Sequence, residues 1–185
     1  GAAAAPAPGI GGAALTTYAG QLPFNNPGAG NSYLARFQGQ ATIAGTLLLC
    51  DRLWHNSGIN ITSTSEQTFT GSALIPPRDS NGTSNGDGVY GMVEVSSNVG
   101  AGTPVLTLKY ANQAGISGKT STTLIATAAS PIAGSCYIFG LAAGDTGISR
   151  AQSLTMSATC TSGTIHVVLF RIIARLELTS ANIPN

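Results

Sequence analysis

The stretch Asp51-Arg52-Leu53-Trp54-His55-Asn56-Ser57-Gly58-Ile59 concentrates groups that could do chemistry. It holds the only Trp, one of two His residues and adjacent opposite charges, in a chain of 185 residues that is only 8% charged. Asp51 and His55 with one of the many Ser residues could be drawn as an acid–base–nucleophile triad. Cys50 with His55, or Cys160 with His166, could be drawn as a thiol–imidazole pair. Nothing resembling the Gly-x-Ser-x-Gly elbow of serine hydrolases is present. The structural alternative is simpler: Trp54 packs into a domain edge, and His55 and Asn56 bond nearby backbone. On that reading the stretch is a hinge between an arm and a β-domain, and no catalytic residue is expected.

Other candidate chemistry is thinner still. The seven acidic residues are Asp51, Glu66, Asp79, Asp87, Glu94, Asp145 and Glu177, and none is closely paired in sequence as hydrolytic carboxylates might be. The loop Asp79-Ser80-Asn81-Gly82-Thr83-Ser84-Asn85-Gly86-Asp87-Gly88 places oxygen ligands at alternating positions, as a calcium loop does. Tyr90 stands where such a loop needs its bidentate Glu, and flanking helices are not foreseen. The expected reading is a polar turn-rich loop that uses Gly for positive φ. Gly118-Lys119-Thr120 lacks the upstream glycine of a phosphate-binding loop. Lys and Arg are scattered and not interleaved with aromatics, so no nucleic-acid partner is expected. Cys50, Cys136 and Cys160 are odd in number and lack Cys-x-x-Cys spacing, which argues against a disulfide framework or zinc site. Asn60-Ile61-Thr62 and Asn81-Gly82-Thr83 fit the glycosylation pattern and are read as chance matches. No metal and no cofactor is implied.

Composition bounds the partners. Hydrophobic content is 43%, and charge lies far below the roughly 25% of an ordinary soluble domain. So uncharged a surface invites association, and much of it is expected to be covered by partner subunits. A net charge of +1 gives no electrostatic footprint for nucleic acid or an anionic membrane. No run of 18 apolar residues exists for a transmembrane helix. The opening Gly1-Ala2-Ala3-Ala4-Ala5-Pro6 has no basic region or sustained apolar stretch, so a signal peptide is not expected.

The elements that must position these groups are mostly strands. Residues 1–32 are rich in Ala, Gly and Pro, carry no charge, and include Leu15, Tyr18, Leu22 and Phe24. They are expected to form an extended arm lying on a neighbouring subunit. In residues 33–57, Tyr33, Leu34, Phe37, Ala41, Ala44, Leu47 and Leu48 fall near helical spacing behind a possible Asn31 or Ser32 cap, so a short helix or irregular linker is expected. Residues 58–185 read as a β-domain. Alternation predicts strands at Ile59–Ser63, Val89–Ser97, Val105–Ala111, Gly118–Ala126, Tyr137–Leu141, Ile148–Ala158 and Ile165–Arg175, with a short tail from Glu177. Asn112-Gln113-Ala114-Gly115 reads as a hairpin loop. His166-Val167-Val168-Leu169-Phe170 is nearly continuous apolar sequence and suggests a central strand. The fold class expected is all-β: an antiparallel β-sandwich or jelly-roll-like domain with an extended N-terminal arm.

The string Asp51–Ile59, then Pro77-Arg78-Asp79-x-Asn81-Gly82-x-x-Asn85-Gly86-Asp87-Gly88-Val89, resembles a family of tailed-bacteriophage virion proteins. Leu108-Lys109-Tyr110-x-Asn112, Gly118-Lys119-Thr120 and Ala143-Gly144-Asp145-Thr146-Gly147-Ile148 follow the same pattern in order, over roughly residues 45–175. The resemblance implies a capsid decoration (cement) protein. It would act on the virion exterior after synthesis in the host bacterial cytoplasm. It implies no catalytic residues, and a structural role for the Pro-Arg-Asp and Asn-Gly-Asp-Gly elements. The expected partners are the major capsid protein and further copies of the chain, as a homotrimer; no membrane partner is expected. A tail, neck or head-fibre component, a receptor- or glycan-binding β-sandwich and a hydrolase are the alternatives.

Overall fold

The computed structural model describes residues 6–23, 28–29, 32–122, 125–126 and 129–178. Among them there is no helix, and so none long and apolar enough to cross a membrane. Ten strands form in chain order: β1 (Ala13–Ala14), β2 (Gly45–His55), β3 (Gln67–Thr68), β4 (Val89–Ser97), β5 (Val105–Asn112), β6 (Lys119–Thr120), β7 (Ile125–Ala126), β8 (Cys136–Ile138), β9 (Ile148–Met156) and β10 (Thr164–Leu178). They make two sheets, one ordered β1-β2-β10-β4-β8 and the other β3-β9-β5-β6, with β7 also pairing β5. Pairing is antiparallel: Val167 faces Val93 across β10 and β4, and Leu108 faces Leu154 across β5 and β9. The chain is an all-β protein, and its sheets form a β-sandwich.

Period-two patterning builds the sandwich. Val89, Val93 and Val95 of β4, Leu106, Leu108 and Tyr110 of β5, and Ile165, Val167 and Leu169 of β10 join one buried cluster with Trp54 and Leu154. Gly91 keeps the alternation of β4 without a side chain, because a Cβ there would press on Leu108, Ile148 and Phe139. β10 is central in its sheet, as its apolar run predicts, and is buried from Ile165 to Phe170. The hairpin after β5 forms with Gly115 at φ +74° donating to the Asn112 carbonyl, while Asn112 Oδ1 accepts from the Ala114 and Ile116 amides.

The chain divides into two compact units. Among the described residues, 6–20 and 52–171 form the sandwich; 21–51 and 172–178 form a smaller unit built on Gly45–Asp51 of β2 and Ile172–Leu178 of β10. The elements differ from the expected ones in several places. Of the short helix or irregular linker foreseen in 33–57, the irregular form is found at 32–44 and no helix forms, while Gly45–His55 is strand. Thr42, Ile43 and Thr46 are β-branched and Gly39 and Gly45 cost helix stability, which outweighs the apolar spacing. Residues 6–20, foreseen as part of an arm lying on a neighbouring subunit, pack on the sandwich of their own chain. Ala13 and Ala14 pair with His55 and Trp54, Ser57 and Gly9 exchange hydrogen bonds, and Ile10 packs on the core. The strand expected at Ile59–Ser63 is a turn: Asn60 Oδ1 accepts from the Thr62 amide and hydroxyl, although Ile59 and Ile61 are buried as foreseen. The predicted run Gly118–Ala126 is broken into β6 and β7. Phe24, Asn31 and the tail beyond Leu178 lie outside the described residues.

Candidate functional site

The Asp51–Ile59 stretch does organise the sandwich, through packing and hydrogen bonds. Trp54 is fully buried, and Gly12 lies against its indole so closely that a Cβ would collide with the ring. Asn56, also fully buried, continues the ladder beyond the end of β2. Its amide donates to Val167 O, its Oδ1 accepts from Val167 N at 2.8 Å, and its Nδ2 donates to Ile10 O at 3.3 Å. One side chain thus ties the N-terminal segment to the central strand.

Arg52 and His55 enter a polar cluster on the outward face of the same sheet. Arg52 Nη1 donates to Glu94 Oε2 at 2.6 Å, and its Nε donates to His55 Nδ1 at 3.1 Å. The guanidinium carbon lies 4.3 Å from the Tyr18 ring centroid, and the Tyr18 and His55 rings meet edge-on. His166, opposite Glu94 in the β4–β10 register, bonds Ser96 Oγ through Nε2. Burial drives the His55 pKa down to about 4, helped by the charge of Arg52 and by His166. Burial also lowers His166, and Arg52 adds to that, while Glu94 and a backbone hydrogen bond oppose it. Both imidazoles are therefore neutral near pH 7. Burial raises the Cys136 thiol pKa, and Glu94 adds to it.

This geometry does not assemble the catalytic sets drawn from sequence. The partners of His55 are Arg52 and Tyr18. Cys160 sits in the core cluster, whereas His166 alternates with core residues Ile165 and Val167 and faces the other side of the sheet. Ser96–His166 is a pair that sequence reasoning missed, because it arises from strand register. The hydrogen-bond partner of His166 Nε2 is Ser96 Oγ and no carboxylate among the described residues bonds the ring, so the imidazole has no acid to orient it as a base.

The motifs in the second half of the chain converge on Asp145. Its Oδ2 accepts from Tyr110 Oη at 2.8 Å and its Oδ1 from Asn112 Nδ2 at 2.7 Å, with Lys119 Nζ 3.7 Å away. Tyr110 Oη in turn accepts from the Ala142 amide. The hydrogen bond from Asn112 holds the Asp145 pKa below the usual range; burial opposes this, and the Tyr110 hydrogen bond and Lys119 reinforce it. Burial pushes Tyr110 up to about 12, with Asp145 adding to the rise. Leu108–Asn112, Gly118–Thr120 and Ala143–Ile148 are thus three parts of one clamp.

The Asp79–Gly88 loop is likewise closed on itself. The buried Asp79 carboxylate accepts from Thr83 Oγ1 and from the amides of Asn81, Thr83 and Gly86. Burial opposes its ionisation, but these donors prevail and hold its pKa at about 2. Asp87 accepts from Asn81 Nδ2 and Thr146 Oγ1. The carboxylates that a calcium ion would need are occupied by protein donors, and the loop is a structural knot. No group of three or more metal-ligating side chains occurs among the described residues.

On the sandwich, Leu74, Ile116, Ile132 and Ile138 stand exposed. In the smaller unit the same is true of Leu22, Tyr33, Leu34, Ile43, Leu47, Ile172 and Ile173. Shallow open depressions lie on the sandwich, one of about 430 Å³ beside Leu74, Asn85 and Gln113. Comparison with protein-family models, with curated proteins and with solved structures finds no match to this chain.

Proposed function

We propose that this chain is a non-enzymatic structural protein of a tailed-phage virion. It binds the outside of the capsid lattice and stabilises it, with the major capsid protein and its own copies as partners. One observation carries the reading: a sandwich whose motif residues are consumed in internal clamps presents a charge-poor surface studded with large exposed apolar side chains. Such a surface suits attachment through many modest contacts, which multivalency converts into tight retention. The motif resemblance points to the same role. The glycan-binding alternative wants an exposed aromatic platform, and Trp54 is buried.

The test is add-back. Capsids assembled without this chain are incubated with the purified protein, and both occupancy and the thermal release of packaged DNA are measured. Saturable binding with a higher release temperature supports the role. Failure to bind mature shells refutes capsid attachment and leaves the tail, neck or fibre reading.

A further inference from the structure

We infer that the smaller unit, residues 21–51 with 172–178, is the surface on which a second copy of this chain docks. The inference deepens the proposed self-association and rests on that part of the reading, but it does not require the capsid.

Among the described residues this unit has no core of its own: of the buried apolar residues, Leu178 alone belongs to it. Its two strand segments are tied at Thr46, which donates to Glu177, and Arg175 pairs with the same carboxylate. Gly39 lies close over Leu47, Leu176 and Leu178, which lets the irregular segment touch one face of the ribbon. A two-stranded ribbon with so little burial is marginal in water, and three strands or a packed face are needed for independent stability. The sequence nevertheless invests in it. Tyr33 is 82% exposed, Ile43 78% and Ile173 50%, a distribution that costs free energy unless the patch is covered.

The seven exposed large apolar side chains of this unit present roughly 100 Å² each, and in total they approach the roughly 800 Å² that one partner contributes to a stable protein–protein interface. Ile172 and Ile173 are consecutive in β10 and so lie on opposite faces of the ribbon, and a partner has to cover both faces.

Charge and the open strand edge favour a second copy as the occupant. The unit carries Arg36 and Arg175 against Asp51 and Glu177, so its charge is balanced. Identical copies meet there without repulsion, and nothing steers a strongly charged partner to it. Backbone complementarity is also available. β4 pairs with β10 only as far as Arg171, so beyond it the β10 edge has no strand partner on that side among the described residues. An apolar ribbon with an open edge adds naturally to an equivalent ribbon, and symmetric self-contact is the commonest arrangement of such patches.

The experiment is the mass of the full-length protein in solution, by light scattering and sedimentation, for the wild type, Ile173→Lys and Ile43→Lys. Ile43 lies in irregular chain, so its substitution tests the surface without straining a strand. Buried Trp54 reports folding of the sandwich by fluorescence. The expected result is an oligomer for the wild type and at least a tenfold weaker association for each variant, with unchanged Trp54 emission. A monomeric wild type at about 50 μM, well above the Kd of a specific interface of this size, overturns the inference. Variants that associate as tightly as the wild type also overturn it. If the wild type is monomeric but the variants lose binding to capsids, the patch belongs to the lattice and the capsid reading survives. If the oligomer forms as expected but capsids are not bound, the converse holds.

Discussion

Replacing Asn56 by Ala probes the joint on which the sandwich is built. The backbone hydrogen bond from Asn56 to Val167 O survives the change, but two side-chain bonds are lost. The Val167 amide, in the middle of the central strand, is left buried without an acceptor, at a cost of about 1–3 kcal/mol. The Ile10 carbonyl loses a longer bond at 3.3 Å, worth about 0.5–1 kcal/mol. A destabilisation of about 3 kcal/mol follows, and a fall in Tm of roughly 6–12 °C for a chain of this size. Asn56→Asp keeps the acceptor for Val167 but turns a carboxylate toward the Ile10 carbonyl, so it is expected to lose at least as much near pH 7 and to recover partly in acid. The assay is urea unfolding followed by Trp54 fluorescence at fixed protein concentration, because association adds to apparent stability, together with hydrogen exchange at the Val167 amide. A loss below about 1 kcal/mol with unchanged Val167 protection would refute the ladder-continuation role.

Further outcomes follow from the same geometry. His55 has a folded pKa of about 4 against 6.5 unfolded. The folded state therefore resists protonation, and stability is full above pH 6.5 and falls as pH drops toward 4. The shift corresponds to about 3 kcal/mol as an upper bound, and to about 2 kcal/mol once partial solvent screening is allowed for. His55→Gln should flatten the urea midpoint over that pH window, and an unchanged slope would contradict the assignment. Asp79→Ala strands the Thr83, Gly86 and Asn81 amides and should cost about 3 kcal/mol. Added calcium should leave the stability of the wild type unchanged, and a calcium-dependent rise in Tm would reopen the ion-binding reading. Gly12→Ala, at φ +69° against the Trp54 ring, should cost about 2–3 kcal/mol and shift Trp54 emission. Cys160 is buried while Cys50 and Cys136 are exposed, so Cys160 should react with a thiol reagent only on unfolding, while Cys50 and Cys136 react in the native protein.

The long strands were legible because one buried face imposes a period of two. β4 spans Val89–Ser97 as its alternation predicts, and β10 is central where the sequence runs apolar without interruption. The helix expectation failed for an instructive reason. Tyr33, Leu34, Ile43 and Leu47 are apolar yet exposed, so their spacing does not report a face turned toward a core within the chain. At Ile59–Ile61 the alternation placed the right side chains inside, but Asn60 offered the backbone a turn in place of a ladder. The Asp145 clamp, the Arg52–Glu94 pair and the Ser96–His166 contact join residues 26 to 70 positions apart. Such contacts depend on register and sheet order, which local sequence does not encode. The motif strings were visible beforehand, but their purpose as mutual hydrogen-bond partners was not. The arm reading also changes: residues 6–20 cover Trp54 and Arg52, so removing residues 1–32 should destabilise the sandwich, whereas the sequence alone suggested an arm lying on a neighbouring subunit.

The central claim is lattice-wide attachment to a capsid. Its most direct test is the copy number of this chain relative to the major capsid protein in purified virions, by quantitative mass spectrometry of whole particles. The account predicts a ratio comparable to that of the capsid subunits. A few copies per particle, or none, would contradict it.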